Sequence, residues 1–222
     1  MSTDLETDLR REFDAVRPPA GLTFSPESVL EQMLMESIAG DADLKRARID
    51  VRTILDVLKQ RKENYLKRQP SIINLVSGLE VERMLRSGFV GKAQLPNDQL
   101  EHRIDIARSE VSYLADLIDQ SPMGVQIGVV RGALPQTGFQ IFRQADRKVL
   151  TLSPFRLGEN PNVRVGVAMI TSAAEALLLH ENAVNEMWKH ALKGTAASEY
   201  LRSLLQTTQV SSNVRRLPVR KT

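Results

Sequence analysis

The chain has 222 residues, with 30 Lys and Arg against 27 Asp and Glu, three His and no Cys. The absence of cysteine excludes disulfides, thiolate metal sites and cysteine nucleophiles, and suits a reducing cytoplasm. No apolar run approaches the ~20 residues that span a bilayer, so a cytoplasmic protein without a membrane partner is expected.

The first residues, MSTDLETDLRREFDAV, are acidic and amphipathic and lack the apolar run of a secretory signal. Leu5, Leu9, Phe13 and Val16 are spaced for one face of a helix over 4–16. Arg17-Pro18-Pro19-Ala20-Gly21 breaks it, because proline removes a donor and disfavours helix in the residue before it. Ser25-Pro26-Glu27 starts a second helix over 26–39, which Gly40 ends.

A long helix is predicted from about residue 41 to Arg68. Leu44, Ala47, Val51, Ile54, Leu58 and Tyr65 follow a heptad-like spacing broken only at Arg61. That seam fits either packing in a bundle or a homodimeric coiled coil. Residues 44–69 also carry nine Lys or Arg against Asp50, Asp56 and Glu63. On an ideal helix Lys45, Arg48, Arg52 and Lys59 fall within about 60° of one another, a row able to follow a phosphate backbone.

Ile72, Ile73, Leu75 and Val76 fit a strand and residues 80–86 a short helix, while Gly88, Gly91, Pro96 and Asn97 mark a domain boundary. A helix over 98–120 carries Leu100, Ile104, Ala107, Val111, Leu114, Leu117 and Ile118 on one face. Four β-like runs follow: VQIGVV from Val125, FQIFR from Phe139, VLTLS from Val149 and VRVGVAMI from Val163. Their short connections predict antiparallel pairing, with Asp146-Arg147-Lys148 as a hairpin tip. A helix over 172–192 is expected to open on the capping box Ser172-Ala173-Ala174-Glu175 and to stop at Gly194. Thr195 is expected to cap a last helix ending near Leu205. Beyond it lies a Ser-, Asn- and Thr-rich tail holding Arg215, Arg216, Arg220 and Lys221. The predicted core comprises Leu114, Val125, Ile127, Val129, Phe139, Ile141, Leu150, Val165, Val167, Leu177 and Trp188.

Catalytic signatures are missing. His180-Glu181 suggests a metalloprotease helix, but position 184 is Val rather than the second His. His180 and His190 lie about 280° apart on a helix, and His102 is far away in the chain. There is no phosphate-cradling GxxxxGK[ST] loop and no G-x-S-x-G elbow, and Gly124, Gly128 and Gly132 do not match the dinucleotide fingerprint. The loops 131–138 and 154–161, with Arg143, Arg156 and Arg164 nearby, suggest a surface for an acidic partner.

Over residues 100–205 the order of elements forms a pattern. A helix leads to VQIGVV, a glycine-containing turn to FQIF, then come a strand pair, a helix bearing Asn185-Glu186-Met187-Trp188, and the closing HALKGTAASEYLRSLL. This pattern resembles the C-terminal effector domain of actinobacterial Xre-type, antitoxin-like transcriptional regulators. The closing segment, with Ala191-Leu192, Ser198 and a leucine-rich last helix, carries most of the likeness. The resemblance implies a cytoplasmic regulator that senses a protein partner or ligand, and it transfers no catalytic residue. The helix-turn-helix of such regulators is not recognised here, since Pro18-Pro19 stand where its helix would continue.

The expected fold is α+β: a helical N-terminal part with a long helix (1–95), an effector-like domain with a small antiparallel sheet flanked by helices (96–208), and a basic flexible tail (209–222). The expected function is transcription regulation, with DNA contacted through Lys45, Arg48, Arg52, Lys59, Arg215 and Arg216. The alternative is an assembly protein that does not bind DNA and oligomerises through Leu44, Val51, Ile54, Leu58 and Tyr65. Neither reading calls for a catalytic residue, a metal or a cofactor.

Overall fold

The computed structural model describes residues 71–88, 96–132, 134–135, 138–144, 146–153 and 169–215, with scattered positions between 35 and 67; for Ser153 and residues 209–215 it describes the backbone alone. The helices expected over 4–16 and 26–39 lie outside the described residues except for Met35, which is helical. Described positions of the long helix, Arg48 and Val51 among them, are helical as well.

The body is an α+β fold. In chain order it runs β1 (Ile72–Ser77), α1 (Gly78–Ser87), α2 (Asn97–Gln120), β2 (Val125–Val130), β3 (Gly138–Arg143), β4 (Lys148–Ser153), β5 (Met169–Thr171), α3 (Ala174–His190), β6 (Leu192–Lys193) and α4 (Thr195–Arg215). The strands make two three-stranded sheets, ordered β1-β2-β6 and β3-β4-β5.

The single antiparallel sheet expected from the short connections is therefore corrected on two counts. The strands divide between two sheets, and β1 pairs parallel with β2, from Ile72 opposite Val125 to Ser77 opposite Val130. Parallel neighbours need a crossover, and α1 and α2 supply it. Strand β1 and helix α1 lie before the division expected at residue 95, yet they are built into the same sheet and core as β2 and α2.

Period-two alternation explains the two faces of the first sheet. Ile127 and Val129 of β2 face the helices, where they meet Val81 and Leu85 of α1, Val111, Leu114 and Ile118 of α2, and Ala197, Leu201 and Leu204 of α4. Each large aliphatic side chain buried here contributes roughly 1.5–3 kcal/mol. Gly128, on the opposite face, lies against Trp188 and Ala191 at the end of α3. Of the predicted core, Leu114, Ile127, Val129, Leu150 and Leu177 are buried. Val125, Phe139, Ile141 and Trp188 are half-buried, and Val165 and Val167 lie outside the described residues.

In the second sheet β3 pairs with β4 and β4 with β5, all antiparallel. Lys148, expected in the hairpin tip, already belongs to β4, and the turn closes ahead of it, with Gln144 N–H donating to Arg147 O at 2.8 Å. Of the strand expected over 163–170, Met169 and Ile170 are described, and β5 runs one residue further, to Thr171.

Helix α3 touches both sheets. Near its start Leu177 is buried and the His180 ring meets Phe139 edge-on at 4.8 Å. Near its end Trp188 reaches Gly128. The expected capping box does not form. The cap residue is Ala173, with no side-chain bond, and its N–H donates instead to Thr171 Oγ1 at 3.1 Å.

Helix α4 also departs from expectation. Gly194, at φ +53°, precedes it, and the Gly194 carbonyl accepts from the Ala197 and Ser198 N–H groups; Thr195 is the first helical residue. The helix continues past Leu205 to Arg215, so the backbone of 209–215 is helical where a flexible tail was expected. Its polar run is accommodated by back-bonding: Thr207 donates to Ser203 O at 3.0 Å and Thr208 to Leu204 O at 2.7 Å.

Candidate functional site

The basic row comes first. Arg48, Arg52 and Lys59 are all exposed on helical backbone, while Val51, between the two arginines, is fully buried. Its burial turns that face out of solvent, while the cationic edge stays in it. The same observation bears on the heptad seam, because a valine covered within one chain offers nothing to a second. Lys45, Leu44, Ile54, Leu58, Tyr65 and Arg216 lie outside the described residues. Arg215 is the last residue of α4, with its side chain outside them.

A second polar cluster gathers at the carboxyl ends of β1 and β2, the place where parallel α/β units present ligands to helix N-termini. Ser77 ends β1 and caps α1: its Oγ accepts from Glu80 N–H at 3.2 Å and donates to Gly132 O at 3.0 Å. The side chain is almost wholly buried. It thus ties the first turn of α1 to the loop after β2. A Cβ built at Gly78 would stand 2.7 Å from Tyr200 Oη, so glycine is what lets the α4 tyrosine approach this turn. The Arg131 guanidinium lies 5.5 Å from the Tyr200 ring centre, within cation–π range. An exposed cation, a phenol and a helix start thus share one edge of the sheet.

Sequence reasoning noticed the loop at Arg131 but missed Ser77, Gly78 and Tyr200. A usable signal was present: Ser77-x-x-Glu80 directly after an apolar run is a capping-box spacing.

Other charged groups are used within the fold. Arg143, expected to meet an acidic partner, instead bonds Glu181 of α3 at 2.9 Å, and Lys148 bonds the same carboxylate at 2.9 Å. The Lys148 bond is the largest influence on the Glu181 carboxyl and, with a lesser contribution from Arg143, holds it below its ordinary range against an opposing desolvation effect. Arg156 and Arg164 lie outside the described residues. Between α2 and α4, the fully buried Ser198 donates to Asp119 Oδ1 at 2.5 Å, and Arg202 bonds both Asp116 and Asp119. The Ser198 hydroxyl and then Arg202 hold the Asp119 carboxyl below its usual range. Beside this seam runs an open groove lined by Arg108, Ser109, Ser112, Tyr113, Asp116 and Leu205.

Two of the three histidines serve local contacts. His180 Nδ1 lies 2.8 Å from Ala176 O, and His190 Nε2 lies 3.1 Å from Glu186 Oε1. Among the described residues no group of three or more His, Asp or Glu is placed to hold a metal ion, and no helix is long and apolar enough to cross a membrane.

No family model, curated protein or solved structure matches the chain.

Proposed function

We propose that the protein is a transcription-regulator-like protein that contacts DNA through the cationic edge of its long helix and recognises a partner or ligand through its two-sheet body. The observation that carries this reading is the pairing of exposed Arg48, Arg52 and Lys59 with fully buried Val51, each at a helical position. A row of cations presents a directed surface when the helix face beside it is turned out of solvent, as it is at Val51. Cations in a row release counterions when they meet phosphates, which drives association and makes it steeply salt-dependent. The likeness to Xre-type effector domains lends support, as does the placement of Arg131 and Tyr200 at the carboxyl ends of the parallel strands. No catalytic role is proposed for any residue, and cytoplasmic residence belongs to the same proposal.

Fluorescence anisotropy of the full chain against duplex DNA tests it. The double variant Arg48→Glu, Arg52→Glu is expected to bind at least tenfold more weakly, taking each lost phosphate contact as roughly 1 kcal/mol of electrostatic attraction. Unchanged affinity in that variant removes the helix from the reading.

A further inference from the structure

Sheets end in edges, and an edge with free main-chain groups recruits another strand unless something blunts it. Three of the four sheet edges among the described residues are blunted. Strand β6 has two residues, one of them Lys193, and β5 has three. Strand β3 ends in the charged Arg143. The exception is β1, six residues long, with the sequence IINLVS: no charge and no proline. It forms the outer strand of its sheet, and no described strand lies beyond it.

The hydrogen-bond phase of β1 sets what the edge presents. Ile72 N–H donates to Gly124 O at 2.6 Å, on the β2 side. Because the main-chain groups of successive residues alternate in direction along a strand, those of Ile73 and Leu75 point away from β2. The Ile73 side chain is 56% exposed, on the sheet face opposite the helical core. An apolar side chain and main-chain groups with no strand partner among the described residues therefore coincide at one strip of surface.

The pattern of that strip reads the same in both directions: Ile72-Ile73-Asn74-Leu75-Val76 is two apolar residues, one amide and two apolar residues. We propose that β1 pairs antiparallel with β1 of a second copy of this chain, about a two-fold axis at Asn74. In that register Ile73 lies opposite the partner's Leu75, Ile72 opposite the partner's Val76, and Asn74 opposite the partner's Asn74. Ile73 and the partner's Leu75 form a pair that exchanges both main-chain bonds, and the two-fold repeats it. Each face keeps its character across the join: Ile72 and Val76 extend the core-facing side, Ile73 and Leu75 the other. The two sheets become one of six strands, and the interface is isologous, as closed dimers require. The heptad seam is a weaker candidate for self-association, since Val51 is already covered by its own chain.

The test is sedimentation velocity on the full chain over a concentration series, with two variants. The wild type is expected to sediment as a dimer. Ile73→Lys, which places a charge on the strip, is expected to sediment as a monomer with unchanged circular dichroism. Asn74→Cys gives a chain without cysteines a single thiol. Directly opposed residues in the predicted non-hydrogen-bonded pair have Cα atoms about 4.5 Å apart, within disulfide range. Mild oxidation should therefore lock Asn74→Cys into a covalent dimer, while Leu79→Cys, 51% exposed on α1, should not cross-link at the same concentration. A wild type that is monomeric at every concentration overturns the proposal. So does a dimer that survives Ile73→Lys, or an Asn74→Cys chain that cross-links no better than Leu79→Cys.

Discussion

The Trp188 ring occupies the space a side chain on Gly128 would need: a Cβ built at Gly128 would lie 2.8 Å from Trp188 Cζ3 and 3.0 Å from Ala191 Cβ. This contact seats the end of α3 on β2, while Glu181, near its middle, is tied to Arg143 and Lys148 of the second sheet. Gly128→Ala is expected to cost about 1–3 kcal/mol through overpacking. Thermal melts followed by Trp188 emission check this, since it is the sole tryptophan; an unchanged melting temperature would show that the ring shifts freely.

Ser77 closes the corner between β1, α1 and the loop after β2. Ser77→Ala removes both of its bonds, the cap to Glu80 N–H and the link to Gly132 O. Loss of such a cap costs about 1 kcal/mol, and leaving a partner group unsatisfied adds to that. A denaturant midpoint lowered at constant slope is the expected result; Ser77→Thr should restore part of it.

Asp119 makes stability pH-dependent with a definite sign. Its carboxyl is held below the usual aspartate range, by Ser198 first and then by Arg202. A depressed carboxyl stabilises the fold above its unfolded-state pKa, and that contribution disappears as pH falls through the lower folded value. Asp119→Asn should therefore be less stable than wild type at neutral pH, and the two should converge in acid. Melting temperatures measured down a pH series read the convergence; a constant gap would assign the effect to something other than titration.

Val51 separates anchoring within the chain from association between chains. Val51→Ala removes buried methyl groups and is expected to cost about 2 kcal/mol from lost burial and the cavity left behind. That loss should be independent of protein concentration, because the side chain is covered in a single copy. A penalty that shrinks as concentration rises would restore the coiled-coil seam.

Much of the body was legible where the signal is local. VQIGVV, FQIFR and VLTLS announced β2, β3 and β4 through apolar runs, and residues 98–120 announced α2 through helical spacing. What stayed hidden depends on distant partners. Nothing in IINLVS says that it lies parallel to a strand some fifty residues later, and Gly88 and Pro96 looked like a boundary although the sheet closes across them. Ser172 and Ser77 present similar cap spacings, yet only Ser77 caps its helix; at the start of α3 the cap residue is Ala173, whose N–H donates to Thr171 Oγ1. Helix α4 outran its expected end because Thr207 and Thr208 satisfy their hydroxyls on their own helix, leaving no call for a turn. The site at Ser77, Arg131 and Tyr200 joins three elements, so spacing alone did not reveal it.

The most direct test of the regulator reading is the salt dependence of duplex binding, by anisotropy, for wild type and for the Arg48→Glu, Arg52→Glu variant. Binding that weakens steeply with salt is predicted for the wild type. Each phosphate contact contributes about 0.9 to the slope of log affinity against log salt, so removing two should flatten it by roughly 2. Equal slopes in the two proteins, or no duplex binding even at low salt, would contradict the claim that this helix edge meets nucleic acid.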